Sequence, residues 1–228
     1  MMLAVAPHVH RGRFITFEGL DGCGKSTQLE KLASALRRQG LDVVVTREPG
    51  GTETGEKIRK LLLDTATASL SPMAELALMF ASRAQHIKEV IHPALASGRV
   101  VLCDRFTDST EAYQGGGRKL GSEPVLVLHR ILCGDLQPDL TILMDSDVAR
   151  SVERARRRNR SRGRGEADEG RFEQENRAFF GRVRNAYLAI AERDRQRVAL
   201  VDARGALSAT HKKILEVVRR KLKLVKIA

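Results

Sequence analysis

The chain has 228 residues, 42% of them hydrophobic and 30% charged, with a formal net charge of +12. That size and balance suit one globular domain with a sizeable core, and no apolar run reaches the length of a membrane span. The cysteines, Cys23, Cys103 and Cys133, are far apart and form no Cys-x-x-Cys, which argues against a zinc site or a disulfide frame and for a reducing cytoplasm.

Residues 1–12 read as a disordered extension. Met1–Ala6 is mildly apolar, but the run is too short for a secretory signal and no basic residue precedes it. Residues 13–222 read as one domain, and 223–228 as a tail. Phe14, Ile15 and Phe17 form a short buried strand. The next eight residues, Gly19, Leu20, Asp21, Gly22, Cys23, Gly24, Lys25 and Ser26, fit G-x-x-x-x-G-K-[ST], and Thr27 follows. The glycines let the backbone turn its N–H groups toward an anion, and the helix that opens there adds its positive end. Lys25 then reaches β/γ-phosphates, and the Ser26 hydroxyl sits on Mg²⁺. A Gly-rich turn alone would be a weak signal, but here a strand precedes it and a helix follows.

Leu29, Leu32, Ala33 and Leu36 recur at helical spacing, and Gly40 ends that helix. Val43–Val45 is a second strand, followed by the loop Arg47–Thr52 and a short helix over 56–63. Ser71-Pro72 starts a long helix to about Ser97, marked by Met73, Leu76, Phe80, Ile87 and Ile91. Gly98 stops it, and Val100–Asp104 is the third strand. Residues 107–134 read as mostly helical, broken at Gly115–Gly117 and Pro124. Leu140–Met144 is a strand, 147–158 a helix, and 159–170 a polar, Gly-containing loop. A helix over 171–191, a strand at Val198–Val201 and a helix over 206–222 complete the chain. Strand and helix alternate throughout. The pattern predicts an α/β fold with a doubly wound sheet of about five parallel strands, helices on both faces, and ligands at the carboxyl ends of the strands.

Asp104-Arg105 closes an apolar strand. The aspartate suits Mg²⁺, directly or through water, and the arginine suits a bidentate grip on phosphate; the alternative is a strand-end ion pair. Phe80 and Arg83 share a helix face. They suit a base stacked on a ring and bonded at its edge, but spacing alone favours a core Phe80 and a surface Arg83. The excess charge is local: residues 150–164 hold eight arginines and one glutamate, +7 of the +12. Such a run serves as a solvated face, a nucleic-acid patch, or mobile arginines beside a polyphosphate. No aromatic residue lies between 145 and 171 to stack bases, which argues against a nucleic-acid partner. No Asn-Lys-x-Asp occurs, which argues against a GTPase switch.

From about residue 12 to 222 the sequence resembles the thymidylate kinase family. The segments that carry the resemblance are Phe17–Thr27, Arg47-Glu-Pro-Gly-Gly-Thr52, Asp104-Arg-Phe106, Ser109–Arg118 with its Ala-Tyr-Gln-Gly, Glu153–Arg156, and Arg171-Phe-Glu173. The resemblance implies a P-loop NTPase-type fold with an Arg-rich lid at about 150–172, and transfer of the ATP γ-phosphoryl group to dTMP in dTTP biosynthesis with Mg²⁺. It implies that Lys25, Ser26 and Thr27 hold ATP phosphates and metal, with Asp104 as the second metal residue. Asp21 would meet the sugar 3′-OH or act near the metal, and Arg47 and Arg105 would hold the dTMP phosphate. Phe80 would stack on thymine and Arg83 would bond its edge. Ser109, Thr110, Tyr113 and Gln114 would close the nucleoside pocket, with Tyr113 checking against a ribose 2′-OH. Arg154 and Arg156 would be lid residues reaching ATP. Positions 22 and 23 are Gly and Cys, so the catalytic arginine is expected in the lid and not in the phosphate loop. The lid is longer than the family pattern, and Gly170 stands where an aspartate usually precedes Arg171. The resemblance also implies a homodimer, a cis Glu48–Pro49 bond and no membrane association.

Overall fold

The computed structural model describes residues 12–161, 171, 172 and 174–224. Five strands form one sheet in the order β2-β3-β1-β4-β5: β1 Arg13–Glu18, β2 Val43–Arg47, β3 Val100–Asp104, β4 Leu140–Asp145 and β5 Val198–Asp202. Every pairing is parallel. The crossovers are helical: α1 Lys25–Arg38, α2 Glu53–Leu63, α3 Pro72–His86, α4 His92–Ala96, α5 Thr107–Thr110, α6 Glu123–Cys133, α7 Val148–Ser161, α8 Arg177–Arg193 and α9 Leu207–Leu222.

Both sheet faces are covered, which is why the strands are apolar without alternation. Ile15, Phe17, Val100, Leu102, Ile142 and Val201 pack with Leu29, Leu32 and Leu36 of α1 and Ile214 and Val218 of α9. Phe14, Val101 and Cys103 face the other way, toward Leu76, Phe80 and Ile91. Leu143 and Val198 meet Phe179, Val183 and Tyr187 of α8. The register aligns Phe17 and Arg47 with Asp104, so Glu18, Arg47 and Asp104 end on one edge of the sheet. The phosphate loop leaves from that edge.

The structure differs from the sequence reading at several boundaries. α2 starts at Glu53 because Thr52 caps it, its hydroxyl accepting from the Gly55 N–H at 2.9 Å. The long helix after Ser71 is continuous in direction but changes pitch in a π-helical turn at Ile87–Ile91. Gly115–Gly117 do not break a helix. They lie inside a second π-helical stretch, Glu111–Gly117. A Cβ on Gly116 would stand 2.6 Å from the Ala186 Cβ, and one on Gly117 would stand 2.5 Å from the Phe179 ring. These glycines let α8 approach. Pro124 opens α6 instead of interrupting a helix. α8 begins at Arg177, not Arg171, because Asn176 caps it by accepting from the Phe179 N–H at 2.9 Å. α7 runs to Ser161, past its expected end. The extension 1–11, the loop 162–170 with Arg162 and Arg164, and the tail 225–228 lie outside the described residues.

Candidate active site

The phosphate loop turns through positive φ at Gly19, Gly22 and Gly24, a region where an L side chain is strained. The N-terminus of α1 has no side-chain cap, which leaves its first N–H groups for an anion. Lys25 is not held open. It is 5% exposed, and its ammonium donates to the carbonyls of Gly19 and Leu20 at 3.1 and 3.0 Å, with the buried Cys23 Sγ at 4.0 Å. The loop's own carbonyls hold the charge. Leu20 is buried beside this turn and Thr27 is exposed on the first turn of α1.

The Ser26 hydroxyl donates to Asp104 Oδ2 at 2.8 Å. The other oxygen, Oδ1, is buried and has no protein partner. A buried unpaired carboxylate oxygen is costly, and a hydroxyl–carboxylate pair is the donor set a hard cation takes. The two residues therefore fit Mg²⁺.

Arg105 stands at φ 73°, rare for a residue with a side chain. Its Nη2 donates to Asp21 Oδ1 at 2.7 Å and to the Tyr113 hydroxyl at 3.1 Å. Its Nη1 donates to the hydroxyls of Ser109 at 2.9 Å and Tyr187 at 3.1 Å. Tyr113 in turn donates to Asp21 Oδ2 at 3.0 Å. Burial works against ionisation of Asp21, but Arg105 and Lys25 outweigh it and hold the carboxyl well below the usual range. Asp21, Arg105, Ser109 and Tyr113 are thus brought together in one network.

Arg83 is not a surface charge. It is 2% exposed, and its guanidinium lies 4.8 Å from the Phe80 ring centre and 5.1 Å from that of Phe106. It donates from Nε to Glu48 Oε2 at 2.7 Å and from Nη2 to Thr110 Oγ1 at 2.8 Å, while Nη1 is buried with no hydrogen-bond partner. Phe80 is fully buried in the core, so its ring presents no open face here. The remaining expected residues sit apart from this network. Gln114 donates to Glu75 at 2.7 Å. Arg47 is exposed and pairs with Glu56 at 2.9 Å. Glu48–Pro49 is cis, as expected.

Arg154 and Arg156 are exposed on α7, and Arg156 Nη2 donates to the Glu175 carbonyl at 3.1 Å. Between them Ala155 is buried, and α7 seats directly on the phosphate loop. A Cβ on Gly22 would lie 2.2 Å from the Ser151 carbonyl oxygen and 3.1 Å from the Ala155 nitrogen.

The model of the family described as thymidylate kinase matches residues 17–214. The chain belongs to the thymidylate kinase family. A thymidylate kinase of Pseudomonas putida is 52% identical over 203 residues, 89% of this chain and 93% of that one. One of Pelobacter propionicus is 50% identical over 196 residues, 86% and 89% of the two chains. The solved thymidylate kinase of Ehrlichia chaffeensis superposes with a TM-score of 0.71 at 30% identity, covering 92% of this chain and 99% of that one. The P-loop NTPase-type fold and assignment as a kinase follow.

Around these residues, several buried polar neighbours escaped sequence reasoning. Glu18 lies in the segment that carries the resemblance but suggests no role by itself. It is fully buried, accepts from the Phe106 N–H at 2.7 Å, and meets the Ser109 and Tyr187 hydroxyls. Tyr187 reads as one of an apolar helical stripe, and only its polar tip hints otherwise. Glu48 and His86 form a second buried relay: His86 contacts Thr46 Oγ1 at 2.6 Å through Nε2 and Glu48 Oε1 at 2.8 Å through Nδ1. Glu75, fully buried, takes Arg171, Arg118 and Gln114 together.

Burial pushes the Glu48 carboxyl up, but Arg83 and His86 outweigh it and hold it below its ordinary value. A lowered folded value means that the folded state binds this proton less readily than the unfolded chain. Its contribution is present above the ordinary carboxylate range and is lost as pH falls through the lowered value. Glu48→Ala leaves Arg83 buried without its anion and is expected to cost about 3–5 kcal/mol in urea unfolding at neutral pH, with a smaller deficit in acid. An equal deficit at both pH values would contradict an ionised Glu48.

Proposed function

We propose that the chain phosphorylates dTMP with ATP, giving dTDP and ADP, by in-line transfer within one kinase unit spanning 13–222 with its lid at about 150–172. The observation that carries this reading is the Arg105 network. One arginine at the end of β3, beside the phosphate loop, is held by Asp21 of that loop and by Ser109 and Tyr113 of the Ser109–Arg118 segment.

The acceptor is a phosphate. A monoester with a second pKa near 6 is mostly a dianion at neutral pH, so no general base is needed. The task is to align two anions and screen their repulsion. Lys25 leaves the Gly19 and Leu20 carbonyls to meet the ATP phosphates, and the uncapped N–H groups of α1 bind beside it. Ser26 and Asp104 would hold Mg²⁺, which when bound screens charge on the phosphate oxygens. Arg105 and Arg47 grip the acceptor phosphate. The unpartnered Nη1 of Arg83 is a donor for a base-edge acceptor, with Thr110 fixing its fork; stacking on Phe80 requires that its buried ring be uncovered when the nucleotide binds. Asp21 accepts from the sugar 3′-OH, and Tyr113, anchored by Asp21 and Arg105, crowds a ribose 2′-OH. Gln114, held by Glu75, closes the pocket.

Among the described residues no helix is long and apolar enough to cross a membrane. The proposed setting is the cytoplasm, and the proposed assembly is a homodimer through helices beside the acceptor pocket, including α3, where Met73 is 52% exposed. Light scattering at micromolar concentration is expected to give twice the 25.2 kDa chain mass; a monomer mass would remove the dimer.

The activity is tested by ADP release with each nucleoside monophosphate in turn. With Mg-ATP, turnover is expected to be strongest with dTMP, weaker with dUMP and poor with UMP. Equal rates with dTMP and UMP would sink the role of Tyr113. ATP hydrolysis stimulated by DNA, without transfer to dTMP, would replace the reading with a nucleic-acid-dependent ATPase.

The lid is tested separately. A lid arginine acts on charge that develops during transfer, so its loss lowers kcat more than it raises KM. Arg154→Ala or Arg156→Ala is expected to reduce kcat at least about tenfold, roughly 1.4 kcal/mol. Arg162→Ala and Arg164→Ala are expected to do much less. Unchanged kcat in both Arg154→Ala and Arg156→Ala would defeat the lid assignment.

A further inference from the structure

Glu18 is the last residue of β1, directly before the phosphate loop, and is completely buried. Its Oε1 accepts the Phe106 N–H at 2.7 Å. Its Oε2 forms a triangle with two hydroxyls. Glu18 Oε2 contacts Ser109 Oγ at short range and Tyr187 OH at 3.2 Å, and the two hydroxyl oxygens lie 2.7 Å apart. Each edge of a hydrogen-bonded triangle needs one proton. Ser109 and Tyr187 supply one each. Arg105 Nη1 donates to both hydroxyl oxygens from outside and adds none to the edges. A proton on Glu18 fills the third edge. With an ionised carboxylate one edge, at best the longer one to Tyr187, is left as two oxygens with no proton between them, beside a carboxyl group that is itself fully buried.

We infer that Glu18 is a neutral carboxylic acid at physiological pH and acts as a positioning residue, holding Arg105 through the Ser109 and Tyr187 hydroxyls without cancelling its charge. The inference rests on the proposed role of Arg105 as the acceptor-phosphate clamp. Arg105 already has one counter-ion, Asp21. A second anion at Glu18 would leave the clamp net negative and repel the incoming dianion. Two neutral hydroxyls orient Nη1 and can be exchanged for phosphate oxygens. The groups around Glu18 agree. Desolvation and the anion of Asp108 push its carboxyl up to about 8, against the pull of Ser109 and Arg105. On the far side Arg197 grips Asp108 at 2.6 and 3.0 Å. Cys103 on β3 and Tyr187 on α8, the other titratable neighbours, are pushed well above their ordinary values by burial, so both stay neutral over this range.

The test uses the full chain and two readouts. The first is infrared spectroscopy of the ligand-free protein. A protonated-carboxyl carbonyl band is expected at neutral pH, fading above about pH 8 and missing from Glu18→Gln. A wild-type spectrum at neutral pH without a band that Glu18→Gln removes would overturn the inference. The second is the KM for dTMP from about pH 6.5 to about 9.5 at saturating Mg-ATP. In wild type, KM is expected to rise as Glu18 ionises, at least about fivefold across the range. Glu18→Gln keeps an oxygen for Phe106 and a donor for the hydroxyls, so its KM is expected to stay flat over the alkaline half; Glu18→Ala is not rescued in this way. The wild-type to Gln ratio cancels titration of the substrate. The same alkaline rise in Glu18→Gln, or a neutral-pH KM more than about tenfold above wild type, would show that the working form is the anion and overturn the inference. The infrared band needs no dTMP. Failure of the clamp itself, seen as an unchanged dTMP KM in Arg105→Lys, is thereby told apart from an ionised Glu18.

Discussion

The contact between Arg105 and Asp21 is the constraint around which the site is arranged. It joins the phosphate loop to the segment after β3 across the sheet edge, at 2.7 Å and with Arg105 only 14% exposed. The geometry comes at a backbone cost, since Arg105 takes a left-handed φ that a side chain disfavours. Four hydrogen bonds from the two terminal nitrogens offset that strain. Each bond goes to a different residue, from the loop, from α5, from the π-helical stretch or from α8. The position of one guanidinium therefore records the relative placement of four elements, and a shift in any of them is felt where an acceptor phosphate would bind.

The same device recurs beneath the surface. Glu48 with Arg83, Glu75 with Arg118 and Arg171, and Asp108 with Arg197 are carboxylate–arginine pairs in which the acid is almost wholly inside. Removing one partner of such a pair strands a charge in low dielectric, so each acts as a rigid joint more than as a source of net stability. The joints connect distant segments. Glu75 on α3 takes Arg118 after the π-helical stretch and Arg171 beyond α7, and Arg171 also donates to the Leu62 carbonyl of α2. Of the net +12, the stretch 150–164, with eight arginines and one glutamate, carries +7.

α7 and the phosphate loop meet backbone to backbone. Gly22 lies under the Ser151 carbonyl with no room for a Cβ, so α7 cannot move without disturbing the loop. That contact gives a physical route by which phosphate binding and the position of Arg154 and Arg156 influence each other. On the opposite side, the Glu48–His86–Thr46 relay holds the turn after β2 against α3. The turn after β2 is thus braced by buried polar groups, while Lys25 is held by the carbonyls of its own loop and one Asp104 oxygen has no hydrogen-bond partner.

What could be read from the sequence was whatever depends on local chemistry. The glycines of 19–24 and Lys25-Ser26 specify a phosphate loop because only that spacing turns the backbone N–H groups inward. The apolar runs ending in Arg47, Asp104 and Met144 specify parallel strands because both faces must be buried. The resemblance carried by Arg47–Thr52 and Ser109–Arg118 brought with it the expected site residues. Tertiary structure decided what depends on partners far away in the chain. Spacing left Arg83 at the surface, whereas Glu48, 35 positions earlier, draws it inside. Gly115–Gly117 looked like a break, but the close approach of α8 makes them part of a wound π-helical stretch. Lys25 looked open to ligand, yet the carbonyls of its own loop occupy it. Glu18 and Tyr187, 169 positions apart, give no sign of each other in one dimension. Their hydrogen-bond contact exists only because β1 is the central strand and α8 brings Tyr187 to its end, a distance the folded chain closes and local sequence chemistry does not encode.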